Sequence, residues 1–93
     1  MSDKKFKYTT KEWTNRVYYL LFDESIGWFV KTGNAESMLL AKPGSDEPNY
    51  YKIMRGNGDL IYIPEDDVFP ERKEARKEAR QRTLQIMKDN GVI

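Results

Sequence analysis

Residues 50–55 and 60–64 are two β-rich runs separated by Gly56-Asn57-Gly58-Asp59. An Asn-Gly pair between such runs is a strong hairpin signal, because a two-residue type I′ turn needs positive φ at both central positions. With Asn57 and Gly58 as the loop, Arg55 faces Leu60, Ile53 faces Tyr62 and Tyr51 faces Pro64. The opposite face then carries Met54, Ile61 and Ile63. Both faces are substantially apolar, so both need cover. The rest of the chain must supply it, as more sheet rolled over the hairpin or as a helix.

Upstream, the composition predicts more strands. Residues 16–22 are rich in Val, Tyr, Leu and Phe, which suits a buried strand. A turn is expected over 23–27, a short strand over 28–31, a break at Thr32-Gly33-Asn34 and a strand over 37–42. Two prolines, a glycine and two acids make 43–49 a loop. With the hairpin, this gives five antiparallel strands. One stretch supports a second reading. Thr9-Thr10-Lys11-Glu12 matches a capping box, and Trp13, Val17, Leu20 and Leu21 follow at helical spacing, as for a helix over 10–24. The strand preferences of Thr14, Val17, Tyr18, Tyr19 and Phe22 favour the strand.

Residues 70–90 are almost wholly helix-forming. Pro70 suits the first helical position, Glu71 and Glu74 the first turn, and Gly91 the residue just past the end. At 100° per residue, Ala75, Ala79 and Ile86 form one narrow stripe, with Thr83 and Met87 beside it. One flank carries Glu71, Glu74, Glu78 and Asp89. The other carries Lys73, Arg76, Lys77, Arg80 and Lys88 within an arc of roughly 120°. A helix needs its apolar stripe in order to dock, but nothing in docking requires its charges to be sorted. Five like charges side by side are slightly unfavourable alone and are relieved by an acidic partner.

Charge also varies along the sequence: residues 1–16 carry +3, residues 17–69 carry −5 and residues 70–93 carry +3, leaving +1 overall. So small a net charge argues against strong nonspecific affinity for nucleic acid. The 93 residues include neither Cys nor His. That removes thiol nucleophiles, thiolate metal sites, the commonest general base and the commonest transition-metal ligand. No spacing nominates a catalytic carboxylate pair, and no cofactor is implied. Glu65-Asp66-Asp67 is the one dense acidic run, without the alternating pattern of a calcium loop, and reads as helix capping or plain solvation. No apolar run approaches the ~20 residues that span a bilayer. The charged start is not followed by the apolar core of a secretory signal. A cytoplasmic location follows by elimination.

The run Ile61-Tyr62-Ile63-Pro64-Glu65-Asp66-Asp67-Val68-Phe69-Pro70, leading into the Glu-Ala-Arg helix, resembles small uncharacterised phage and bacterial proteins. In these a meander of short strands ends in an acidic turn and a charged helix. Arg16-Val17-Tyr18-Tyr19-Leu20 likewise resembles the first strand of SH3-like barrels. The resemblance implies an architecture and no activity.

The expectation is therefore a single α+β domain over 1–93. It comprises a five-stranded antiparallel meander or small SH3-like barrel across about 16–64 and a C-terminal helix across about 70–90. The function expected is a non-catalytic protein-interaction module of phage or mobile-element origin. Its partner is a protein with an acidic surface, with nucleic acid the alternative and no membrane. The basic helix flank (Lys73, Arg76, Lys77, Arg80 and Lys88) is the expected contact surface, with Trp28, Tyr50 and Tyr51 as exposed aromatics. Neighbouring strand tyrosines point to opposite faces, so one of each pair should be turned away from the main core.

Overall fold

The computed structural model describes residues 16–91. Its elements are β1 (Arg16–Asp23), β2 (Gly27–Leu39), β3 (Tyr50–Met54), β4 (Leu60–Pro64), a 3-10 turn (Glu65–Asp67), β5 (Val68–Phe69) and α1 (Arg72–Asp89). The strands form one antiparallel sheet in the order β4-β3-β2-β1-β5. The described residues thus make an α+β domain. Residues 16–23 are strand and not helix; the capping box at 9–12 and Trp13 lie outside the described residues.

The number of strands agrees with the sequence reading, but their identities differ. The expected strands over 28–31 and 37–42 are parts of one continuous strand, β2, which ends at Leu39 so that 40–42 lie beyond it, and the fifth strand is Val68–Phe69. Gly33 breaks nothing. It sits mid-strand where β2 exchanges β1 for β3 as partner, and a Cβ there would stand 2.7 Å from Ile53 Cγ2 and 2.8 Å from Met54 O. Glycine here marks a close approach, not a turn. A bulge between Ala35 and Ser37 then bends the strand.

The hairpin register also departs from the expectation. Met54 faces Leu60, Ile53 faces Ile61 and Tyr51 faces Ile63. Arg55 and Asp59 close a three-residue loop: Arg55 N–H donates to Asp59 O at 2.8 Å and Gly58 N–H to Arg55 O at 2.9 Å. Within this loop only Gly58 has positive φ, at 90°, so Asn57 is not in a type I′ turn. A one-residue slip moves every side chain of one strand to the other face. It gathers Tyr51, Ile53, Ile61 and Ile63 on the inner face and leaves Met54, Leu60 and Tyr62 exposed on the outer face.

The short link between β4 and β5 sets the shape of the sheet. These are opposite edge strands, about 19 Å apart if five strands lay flat. Four Cα steps, from Pro64 to Val68, reach at most about 14 Å. The sheet must therefore roll. It remains open, since no ladder joins β4 to β5. The inside of the roll holds one core of Val17, Tyr19, Tyr51, Ile53, Ile63 and Val68. Leu20 and Phe69 point to the outside, where Ala75 and Ala79 bring α1 close enough to cover them. The predicted alternation appears here: Tyr19 and Tyr51 are buried, while Tyr18 and Tyr50 are half-buried. Buried Asn49 ties the Pro-rich loop down, its Oδ1 accepting from Ala41 N–H at 2.7 Å and its backbone carbonyl from Glu65 N–H at 2.9 Å.

The helix begins two residues later than Pro70, with Glu71 as an extended N-cap, and ends with Gly91 at φ 75°. Its docking turns on Thr83. The Thr83 hydroxyl donates to Ala79 O at 2.9 Å and accepts from Trp28 N–H at 3.0 Å. Gly27, at φ 88°, makes room: a Cβ there would lie 2.8 Å from Thr83 Cγ2 and Oγ1. Gly27→Ala should thus cost more than ~2 kcal/mol by adding steric conflict to left-handed strain. Gly44→Ala, with positive φ but open space, should cost about 1 kcal/mol in the same urea titration.

Burial, reinforced by the charge on Glu65, pushes the Tyr51 hydroxyl up to about 12 from 10.0. The folded state therefore holds this proton more tightly than the unfolded polypeptide does. The associated stability is complete below about pH 10 and is lost as pH rises toward 12. Tyr51→Phe should flatten the alkaline fall of the urea midpoint; an unchanged fall would assign it to other groups.

Candidate functional site

With Ala75 and Ala79 against the sheet, geometry decides where the helix flanks go. The basic flank emerges beside β2, where Arg72, Lys73, Arg76, Lys77 and Arg80 line one open surface. Between this flank and the strand run two shallow grooves. One, of about 310 Å³, lies among Tyr18, Val30, Thr32, Arg72 and Arg76. The next, of about 340 Å³, lies among Trp28, Phe29, Val30, Arg76 and Arg80. The Arg72 guanidinium stands 5.2 Å from the centre of the Tyr18 ring, within cation–π range. None of the five cations pairs with a carboxylate of the described residues; the Glu78 and Asp67 carboxylates go to Arg82 instead.

Arg82 leaves the helix on the other side. Its guanidinium meets Asp67 at 2.7 Å and Glu78 at 2.9 Å, donates to Asp66 O at 3.4 Å and lies 4.7 Å from the centre of the Trp28 ring. Burial works against its charge, yet the bonds from Glu78 and Asp67 outweigh it and hold the group above its ordinary pKa. This one side chain fastens α1, the 3-10 turn and β2 together.

Of the residues expected to contact a partner, Lys73, Arg76, Lys77 and Arg80 come together as expected. Lys88 is exposed in the last helical turn, away from that surface. Trp28 is half-buried beneath Arg82, its ring centre 5.5 Å from that of Phe22. Tyr50 is half-buried on β3, which the helix does not cover. Tyr51 is completely buried inside the roll and cannot touch a partner. The acidic run caps no helix: 65–67 is itself a 3-10 turn, and α1 has no side-chain cap. Its side chains diverge, Glu65 toward Asn49 and Asp67 toward Arg82. Among the described residues, no group of three or more acidic side chains is placed to hold a metal. No helix there is long and apolar enough to cross a membrane.

One arginine of this surface, Arg72, carries no expectation from the sequence. Arg72 shares a face with Arg76 and Arg80 at four-residue steps, a spacing that marks it as their neighbour. The same four-residue rule pairs Glu78 with Arg82, as the structure shows, but nothing local points to Asp67 or Trp28. No family model, curated protein or solved structure matches this sequence.

Replacing Arg82 by Leu leaves Asp67 without its counter-ion and uncovers Trp28. Unfolding free energy should fall by about 1–3 kcal/mol. Arg82→Lys should recover only part of it, since an ammonium cannot fork between two carboxylates while lying flat on a ring. Urea titration of the three proteins distinguishes these outcomes; an unaltered Arg82→Leu midpoint would reduce the cluster to a surface pair.

Proposed function

We propose that this protein is a non-catalytic interaction module that docks an acidic protein surface on the Arg72, Lys73, Arg76, Lys77 and Arg80 flank of α1. The observation that carries the reading is that these five cations share one surface with no carboxylate of the described residues among them. The acids of the same helix lie on the other side, where Glu78 is already engaged by Arg82. Among the described residues the positive strip is thus uncompensated, and an acidic partner would neutralise it. The rolled five-strand sheet supports reading the domain as SH3-like in plan. Nucleic acid is the weaker occupant. The net charge is +1, and the aromatic rings nearest the flank, Tyr18 and Trp28, have arginines over them where bases would stack.

Reversing Arg76 and Arg80 together to Glu should leave the melting temperature nearly unchanged, since neither is buried or ion-paired. Affinity for a captured protein partner should fall by at least about tenfold, with added salt acting mainly on the association rate. Capture that vanishes on nuclease treatment, with a steep log–log salt dependence, would transfer the surface to nucleic acid. Equal affinities for the two proteins would return the flank to an ordinary solvated face.

A further inference from the structure

The two halves of β2 are partnered on opposite sides. Residues 27–34 pair with β1 and residues 34–39 with β3. β3 stops at Met54 and turns through 55–59, so it does not reach the first half of β2. Among the described residues, no strand pairs with 27–33 on the side away from β1. Backbone groups along an antiparallel strand alternate in direction. The Trp28 N–H is turned away from β1, since it donates to Thr83. Val30 and Thr32 are of the same parity, so their N–H and C=O groups face the open edge. The Thr32 hydroxyl does not block it, being bonded to Val17 O at 3.1 Å.

The helix runs antiparallel to this edge: Arg72 and Arg76 share one groove with Thr32 and Val30, Arg76 and Arg80 share the next with Val30 and Trp28, and Thr83 further on reaches Trp28 N–H. Four residues of helix advance about 6.0 Å and two residues of strand about 6.7 Å. The arginine row and the strand edge are therefore in step over three positions. We propose that the edge of β2 at Val30 and Thr32, next to the Trp28 N–H that Thr83 already holds, receives an extended acidic segment of a protein partner as an added strand, its alternate carboxylates lying against Arg72, Arg76 and Arg80. This rests on the acidic-partner reading above and specifies the form of the partner: carboxylates at every second residue, backbone extended.

Charge selects this occupant. Arg55 adds a further cation at the Thr32 end of the edge. A second copy pairing edge to edge would bring the same arginine row into the shared interface, and the protein's own residues 1–15 carry four lysines against two acids. Both would meet like charge. An acidic strand gains backbone hydrogen bonds and charge pairing together.

The test uses the full-length protein, nitrogen-15 labelled, and blocked hexapeptides of three Glu and three Thr. One peptide alternates the two residues; its isomer groups the three Glu at one end. A third carries N-methyl groups on alternate backbone amides of the alternating sequence. The alternating peptide should bind about tenfold more tightly than the grouped isomer and slow amide exchange at Val30 and Thr32 by about tenfold or more. N-methylation in the edge-facing register should abolish both effects. Equal binding of the two isomers with no added protection would overturn strand addition while leaving the acidic-partner reading in place. Val30 and Thr32 amides already protected in the free protein would also overturn it, by showing the edge occupied from within. If no acidic peptide binds and the Arg76/Arg80 reversal changes nothing in capture, the acidic-partner reading itself fails. Tighter binding of an oligothymidylate than of any peptide would assign the edge to nucleic acid.

Discussion

The rest of the structure depends on a short tether. Three residues, 65–67, connect the two edge strands of a five-strand sheet, and so short a link falls short of the width of a flat sheet. Rolling follows, and with it the division of side chains. Tyr51, Ile53 and Ile63 close on Val17, Tyr19 and Val68 within the roll, while Leu20 and Phe69 are left outside and need the helix. The two apolar clusters are thus one consequence of a single geometric limit, acting through the two-residue period of the strands.

The helix is held by contacts of different kinds. Small side chains at Ala75 and Ala79 allow close packing, and Thr83 accepts a hydrogen bond from the strand at the position where Gly27 leaves space. Arg82 then anchors the helix to the 3-10 turn through Asp67. All three act on the stripe or on the acidic side of the helix. Apart from Arg72, whose guanidinium stands over the Tyr18 ring, the basic flank is left without a structural task among the described residues. Its exposure is therefore a property of how the helix is docked and not of its composition alone.

Much of this was legible locally. The helix, the strand at 16–23, the alternation of the tyrosine pairs and the clustering of Lys73, Arg76, Lys77 and Arg80 follow from periodicities of 3.6 and 2. The errors share a cause. The Gly56-Asn57-Gly58 turn admits both a two-residue and a three-residue loop, and that choice reverses which face each side chain of one strand occupies. Packing settles it, because the three-residue loop places Ile61 and Ile63 beside Tyr51 and Ile53. Gly33 misled in a similar way. A glycine that breaks a strand and one that lets two strands approach look alike until the neighbour, here Ile53, is known.

Sequence alone determined the element types, the sorted charges of the helix and the absence of thiol and imidazole chemistry, since each depends on residues a few positions apart or on composition. Only tertiary structure decided that Tyr51 is sealed within the core, that Arg82 belongs to Asp67 and Trp28, and that the arginine row lies beside a length of β2 whose outer edge no strand of the described residues pairs. Those facts rest on contacts between segments far apart in sequence. Their partners are fixed by the roll of the sheet and the seat of the helix, which no local pattern encodes.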